Sequence, residues 1–331
     1  MLTNVRNLRP TRRGYAVLTV ALLAFLLGAG AGARSLNAVV VPALVGLLAG
    51  AVQLLRADPP TVERSTPEAG FPGEYRPVTL SVDADVPCTV TESLDDGVDA
   101  DTTTATVGHG GTFEYDIELR RRGEHALGPA TCRVTDSLGL FRTDVETAGT
   151  TTTLVYPDVY GLEDDTLGSL TSRVLGDDRS SFDRLREYGP GDTMRDIHWR
   201  ASAKRTDEEF VVAEYESRSE ATQLEVVGES ALGSADAMAE SVASLVAHLH
   251  DLGVTVAVTV PDGSIVAHPG DVVSVLRLLA RTDDGWVDPE RRRSADVYVL
   301  GRGGSATVTL ADREVDFEGL SGAHRSREVL A

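Results

Sequence analysis

Two uncharged apolar runs lie almost end to end near the start of this chain, Tyr15 to Gly32 and Ala38 to Leu55, each of 18 residues. At about 1.5 Å per residue such a helix reaches roughly 27 Å, close to the ~30 Å hydrocarbon core of a bilayer. Their Gly, Ala and Leu content suits close helix packing, and only Pro42 and Gln53 interrupt the second run. Arg34, Ser35, Leu36 and Asn37 make the connecting turn. Four arginines precede the first run (Arg6, Arg9, Arg12, Arg13) and Arg56 and Arg64 follow the second, whereas the turn carries one. Cationic residues accumulate on the cytoplasmic side of a membrane, so both ends are expected there. The resulting expectation is a two-span protein of the cell membrane: a cytoplasmic tail over 1–13, a transmembrane hairpin over 14–55 touching lipid through residues 15–55, and cytoplasmic soluble domains. Two other readings stay open. Thr11-Arg12-Arg13 before an apolar run that closes on Ala31-Gly32-Ala33 has the form of a twin-arginine export signal, which would make the remainder an exported surface module. Buried helices of a soluble domain are the third.

The remainder is long enough for two modest domains. Of the 331 residues 42% are apolar, an ordinary globular value, while 31 basic residues against 51 acidic ones give a net charge of −20. Such a field repels phosphates, so no nucleic-acid partner is expected. Lys204 is the only lysine and the acids are dispersed, a pattern that resembles haloarchaeal, salt-adapted proteins, whose carboxylates keep the surface hydrated where salt screens self-repulsion. Two cysteines, Cys88 and Cys132, exclude a disulfide scaffold and a four-cysteine zinc site, and in a cytoplasmic domain both are expected as thiols.

Ala57 to Pro77 is rich in Pro, Gly, Glu and Thr, which predicts an extended linker over 56–77. Short alternating runs then recur: Val78-Leu80-Val82, Cys88-Val90, Phe113-Tyr115-Ile117-Leu119 and Thr131-Arg133-Thr135. Asp95-Asp96-Gly97, Gly110-Gly111 and Arg122-Gly123 punctuate them as turns, and the spacing predicts a β-sandwich over 78–157. From Leu224 the rhythm changes. Leu224–Val227, Val254–Val260 and Val297–Leu300 read as strands, with helices from a Ser234 cap to about Leu252 and from an Asp271 cap to about Arg281. This alternation predicts an α/β domain over 224–331 with a mostly parallel sheet.

Between these domains, over 158–223, lies the densest unusual segment. Tyr188-Gly189-Pro190-Gly191-Asp192 reads as a tight turn, Asp192 or Thr193 as the cap of a short helix carrying Arg195, Ile197 and Trp199, and Glu209–Glu216 as a strand. Arginines and carboxylates at this density favour a paired network around an aromatic.

Arg186-Glu187-Tyr188, Gly191-Asp192, Arg195, Ile197-His198-Trp199, Ala201-Ser202-Ala203 and Arg205, followed by Glu214, resemble the signature of the domain of unknown function 58 family. Upstream, Arg121-Arg122-Gly123, Leu127-Gly128-Pro129 and Asp136-Ser137-Leu138-Gly139-Leu140-Phe141 are similar to that family's further motifs, with Ser137-Leu138 departing from the usual Pro-Phe. The resemblance spans nearly the whole chain. It implies a membrane anchor, a C-terminal α/β domain of the von Willebrand factor type A kind, and a MoxR-type AAA ATPase as partner in the folding, assembly or maturation of unknown client proteins. The expected function is a non-enzymatic adaptor or scaffold. In it Ile197 and Trp199 hold the segment, Arg186, Arg195 and Arg205 bond Glu187, Asp192 or Glu214, and Tyr188, Gly191, His198 and Ala203 complete the partner-binding signature. Type A relatives often bind a divalent ion through Asp-x-Ser-x-Ser at the end of the first strand; here Gly228, Glu229, Ser230 and Ser234 stand there, so neither a metal nor any cofactor is expected.

The alternative is an envelope-associated hydrolase or transferase using His198 with Asp192 or Asp196, which lacks a visible nucleophile. Ser202 and Lys204 are too close for a Ser/Lys arrangement on an elbow. His248 and His250, two apart on a helix, point about 200° from one another and cannot share an ion. Gly301-Arg302-Gly303-Gly304 precedes a strand and reads as a turn, not a phosphate loop. Arg120-Arg121-Arg122 and Arg291-Arg292-Arg293 read as solvated faces or local ion pairs.

Overall fold

With no charge to interrupt them, both apolar runs form helices, α1 (Arg12–Ala31) and α2 (Asn37–Arg56). The computed structural model describes residues 8–31, 36–162, 182–187, 211–215, 223–310 and 313–325, divided into two units, Met1–Tyr156 and Pro157–Ala331. Along the hairpin the side chains that turn inward are few and mostly small (Ala21, Ala24, Val40, Leu47), while Leu22, Phe25, Leu26, Leu44 and Leu48 face outward. A helix pair with its large apolar residues outside is built for an apolar surrounding. Both helices are long and apolar enough to cross a membrane.

The chain then enters the sandwich without a spacer. Leu54, in the last turn of α2, is fully buried in the same core as Val78, Leu80, Ile117 and Leu119. The linker expected over 56–77 is therefore a correction: β2 (Thr61–Arg64) pairs with β3 (Tyr75–Asp83), Val62 joins the core, and Phe71 packs edge-on against Tyr156. Its prolines punctuate the strands and do not free the segment. Pro59-Pro60 come before β2, and Pro77 falls outside the stretch of β3 that β2 pairs, where its missing N–H leaves no gap in that ladder.

One sheet carries β2, β3, β7 (Gly111–Leu119) and β5 (Val98–Asp99) in that order. The other runs β1 (Arg9–Pro10), β9 (Phe141–Glu146), β8 (Gly123–Thr135), β4 (Cys88–Leu94) and β6 (Thr104–Val107), with β10 (Thr151–Val155) also on β8. Every pairing in these two sheets is antiparallel. This is the sandwich-like body expected, extended at its N-terminal side. Cys88 and Cys132 point into its core on neighbouring strands, two register positions apart, as free thiols.

The second unit contains β11 (Tyr160–Leu162), the hairpin β12 (Phe182–Glu187) with β13 (Val211–Tyr215), and a six-stranded sheet. That sheet is ordered β16 (Gly263–Ala267), β15 (Thr255–Val260), β14 (Gln223–Ser230), β17 (Val297–Arg302), β18 (Ser305–Leu310) and β19 (Arg313–Asp316). Only β15, β14 and β17 run parallel; β16, β18 and β19 are antiparallel additions. The mostly parallel sheet is thus corrected to a mixed one, because tight hairpins, not helices, follow β15 and β17. At the second hairpin Gly303 and Gly304 both take positive φ (64° and 81°), as a two-residue turn between twisted strands requires.

Helix α3 (Ala235–Asp251) covers the central strands through Met238, Val242, Leu245, Val246 and Leu249. Its close approach depends on Gly228 and Gly301, where a Cβ would stand 2.6 Å from the Met238 sulfur and 2.5 Å from the Ser234 carbonyl. Beside it lies α4 (Val272–Arg281), then α5 (Pro289–Ser294) and α6 (Phe317–Leu320). Finally β20 (Ser321–Arg325) pairs with β11, whose Tyr160 N–H donates to Ser244 Oγ on α3.

Candidate functional site

The signature segment is described only in part. Arg186 and Glu187 lie on β12 and Glu214 on β13, and the register pairs Arg186 with Val212, Glu187 with Val211 and Arg184 with Glu214. Glu214 is therefore directly opposite Arg184, two register positions from Arg186. The strand read over Glu209–Glu216 is observed as β13, while β12 carried no expectation of its own. Tyr188, Gly191, Asp192, Arg195, Ile197, His198, Trp199, Ala203 and Arg205, with Asp196, Ser202 and Lys204, lie outside the described residues.

A second polar site forms at the carboxyl ends of β14 and β17, where the parallel strands lead toward the start of α3. Asp284, in the turn after α4, takes the helix N-terminus. Its carboxylate accepts from Gly233 N (2.6 Å), Ser234 N (3.1 Å) and Ser230 Oγ (3.2 Å). These bonds to free backbone N–H groups, led by that of Gly233, hold Asp284 below the usual carboxylate range. Ser230 is clipped to the same turn by reciprocal backbone bonds with Gly285. Ser234 was expected to cap α3 with its own side chain; instead Asp284 caps the helix from another loop, and Ser234 Oγ accepts from Gly304 N at 3.2 Å. Asp271, expected to cap α4, likewise accepts from Ser274 Oγ and not from a helix N–H.

Glu229, fully buried, faces away from α3. Its oxygens accept from Val287 N (2.8 Å), Tyr298 O–H (2.7 Å) and Arg292 Nη1 (3.3 Å). Burial, then this carboxylate, push the Tyr298 hydroxyl up to about 12. Arg292 is one of the three consecutive arginines, here on α5, whose N-cap Asp288 accepts from Glu290 N. The sequence singled out Glu229, Ser230 and Ser234 and read Arg292 only as one of a cluster forming a solvated face or ion pairs; it gave no role to Asp284 or Tyr298. Asp284-Gly285, a turn dipeptide at the end of an amphipathic helix, was the one available signal.

Chemically, this end of the sheet is a set of clamps. Asp284 and Glu229 accept from six neighbouring donors between them, all of them groups of their own unit, and Asp284, held below the usual carboxylate range, is a weak proton acceptor. Among the described residues, no group of three or more His, Cys, Asp and Glu side chains is arranged to hold a metal ion. His250 is buried with Nε2 toward Ala267 O (3.3 Å) and Nδ1 without a partner, and burial lowers the basicity of both His248 and His250.

The upstream motif pieces sit where the sandwich needs shaping. In Arg121-Arg122-Gly123 the Arg121 carbonyl receives His125 Nε2 at 2.7 Å, and His125 Nδ1 faces Asp95 at 3.3 Å, with the ring laid against Gly97 where no Cβ fits. Leu127-Gly128-Pro129 is a β-bulge: Glu92 pairs with Ala130 but Leu94 with Leu127, so β8 carries one extra residue. Gly128, at φ 94°, leaves room for the guanidinium of Arg64, which is paired with buried Glu92 at 2.7 Å and also donates to Gly149 O. Asp136–Phe141 turns the chain from β8 into β9 against the ends of α1 and α2. Arg120 bridges Asp99 and Glu118, a local ion pair of the kind expected for its cluster.

No family model matches this chain, and no curated relative matches it. Among solved structures it is similar to a C. elegans MSP family member (10% identity, 29% of this chain, 97% of that one, TM-score 0.23). It is also similar to native alpha-2-macroglobulin from Escherichia coli, from domain MG7 to the C-terminus (13%, 32% and 20%, TM-score 0.24). A third is the ASH/PapD-like domain 7 of human CEP192 (13%, 29% and 84%, TM-score 0.20). At such scores the likeness lends no weight to any function.

Proposed function

We propose that this chain is a membrane-anchored, non-enzymatic adaptor of the domain of unknown function 58 kind, with cytoplasmic soluble units. Its β12–β13 region and the signature around Trp199 recruit a MoxR-type AAA ATPase or that ATPase's client proteins. The observation that carries the reading is the seating of the apolar α1–α2 hairpin on the sandwich, with Leu54 in the sandwich core: the body is mounted on its anchor as a platform. A parallel β15-β14-β17 centre with α3 crossing over it supports the von Willebrand factor type A-like assignment of the second unit. The charged groups at its sheet end serve internal bonds, which suits a scaffold.

The test is co-purification of the full-length protein with a MoxR-type ATPase from the same membranes. Trp199→Ala and Arg195→Ala should each reduce ATPase recovery at least about tenfold, the loss expected when a central aromatic or arginine is truncated. Leu232→Ala, at a fully exposed position, should not. Equal recovery with folded Trp199 and Arg195 variants overturns the reading. Sidedness is measured separately. Cys88 and Cys132 are buried at 1% and 0% exposure, so a Leu232→Cys variant carries the one reactive thiol among the described residues. An impermeant reagent should label it only after lysis; labelling in intact cells would place the units outside.

A further inference from the structure

We propose that the turn Asp136–Phe141 is a third membrane-contacting element, with Leu138 seated among the acyl chains of the leaflet that holds Arg12 and Arg56. The inference rests on the membrane reading of α1 and α2. The turn itself is stiff. Asp136 is 2% exposed, and its carboxylate accepts from Leu138 N and Phe141 N, while Gly139 N donates to Asp136 O and Gly139 takes φ 71°.

Both helices grip this turn. Gln53 of α2 donates from Nε2 to Ser137 Oγ (2.8 Å) and accepts from Ser137 N (3.1 Å). Thr11, just before α1, donates its N–H to Leu140 O (2.8 Å) and its hydroxyl to Gly139 O, while Gly14 N closes the first helical turn onto Thr11 Oγ1. Bare positions on the helices let the turn lie flat. A Cβ at Gly50 would stand 2.8 Å from the Asp136 carboxylate and one at Gly14 would collide with Leu140 O, while a Cβ at Gly46 would lie in ordinary contact, 3.7 Å, with Leu138 Cδ1, which places Leu138 over that position.

Depth follows from the helical rise. Gly46 is ten residues before Arg56, roughly 15 Å along α2 at about 1.5 Å per residue. Leu47 shares a cleft with Leu18, which is six residues past Arg12, roughly 9 Å along α1. Leu138 thus reaches past the arginines at the helix ends, whose natural level is the phosphates, to a level of the hairpin where the outward side chains are uncharged and, apart from Thr19 with its hydroxyl bonded back to Tyr15 O, apolar. It is 54% exposed, and the neighbouring outward residues Leu44, Val45 and Leu48 are more than half exposed too, so the patch is continuous with the faces that meet lipid. Arg13 beside Gly139 puts a cation at the base of the turn, at headgroup height. A sandwich held at two helix ends and by an inserted loop cannot swing as it would on a tether, so it presents one fixed face to the cytoplasm.

The test uses the full-length protein in vesicles of phosphatidylcholine and phosphatidylglycerol. Leu138→Cys, Leu22→Cys at mid-span and Leu232→Cys are each labelled with an environment-sensitive fluorophore, the native cysteines being buried. Lipids spin-labelled high or low on the acyl chain serve as quenchers. The expected result is quenching at Leu138 at least twofold stronger by the shallow than by the deep label, the reverse order at Leu22, and none at Leu232. Quenching at Leu22 with Leu138 indistinguishable from Leu232 overturns the insertion while leaving the spans intact. No quenching at Leu22 overturns the spans and the insertion together. A blue-shifted but unquenched Leu138 label, the sign of a protein partner at that face, also overturns it.

Discussion

Glu92 in the sandwich and Glu229 in the α/β unit are both buried carboxylates, and the molecule treats them differently. Glu229 is met by three donors from three places, a backbone N–H, a phenol and a guanidinium. Glu92 has Arg64 on one oxygen, and its Oε2, Arg64 Nη2 and the nearby Tyr115 hydroxyl all lack a partner. Desolvation outweighs Arg64 there and raises the Glu92 carboxyl; it also pushes the Tyr115 hydroxyl up. A pair taken out of water returns its desolvation cost only where the remaining lone pairs and protons are met. The sandwich pair therefore fixes geometry at the Gly128 bulge at a net cost in stability, whereas the Glu229 site ties α5 to the sheet with little left unmet.

The widest gap between the two should open on removing one partner. Glu92→Ala leaves the Arg64 guanidinium buried and unpaired, and denaturant unfolding should show a loss of about 3–5 kcal/mol in the first unit. Replacing Arg64 and Glu92 together by Met and Leu should be near neutral or stabilising. A double variant as weak as Glu92→Ala would mean that the pair contributes net stability and that the contrast with Glu229 is wrong. Next in size is Gly128→Ala. At φ 94° an alanine is strained by about 1–3 kcal/mol, and its Cβ falls 2.8 Å from the Arg64 guanidinium. The Arg64→Met background should lessen the loss, because that contact then disappears.

How far such sites were legible in sequence differs in the same way. Alternation marked the strands of the sandwich, and period and turn chemistry marked α3 and α4 with their strands. What periodicity does not carry is which side chain a loop brings to a distant helix end. Asp284 is 50 residues from Ser234, and Arg64 28 from Glu92, so neither pairing has a local signal. Composition misled at Ala57–Pro77, because prolines beside a strand look the same as prolines in a linker until the partner strand is known. The motif pieces Leu127-Gly128-Pro129 and Asp136–Phe141 were visible as motifs. Their physical reason, a bulge over a buried guanidinium and a turn clasped by two helices, needed the third dimension.

Third in size is the cap. Asp284→Ala removes the acceptor for two N–H groups and a hydroxyl at the start of α3 and should cost the second unit about 1–2 kcal/mol. Asp284→Asn should recover part of it. An Asp284→Ala loss below about 0.5 kcal/mol would show water replacing the carboxylate, and would remove the reason for treating this end as a closed clamp.

The smallest effect separates the units by pH. Glu92, raised in the folded state, favours folding below the usual glutamate range and loses that contribution as pH rises through its folded value. In the second unit the signs are opposite. His250 is lowered chiefly by burial, with His268 adding to the effect while the Ala267 carbonyl, Asp271 and Asp251 partly offset it. Its unfolded form takes up a proton first, so stability falls as pH drops through about 6.5. Asp284, also lowered, adds a second loss only below the ordinary aspartate range, and Asp95 does the same for the sandwich through its bond to His125. Both tryptophans, Trp199 and Trp286, belong to the second unit, so tryptophan emission reports its unfolding alone. Between pH 7 and 5.5 the tryptophan-detected melting point should drop by about 2–4 °C, the shift that 1 kcal/mol gives a unit of this size. His250→Gln, which keeps a donor for Ala267 O without the titration, should lessen that drop, His248 supplying the remainder, and leave the sandwich transition where it was. A drop unchanged in His250→Gln would assign the acid response to some other group and leave the two units alike above the carboxylate range.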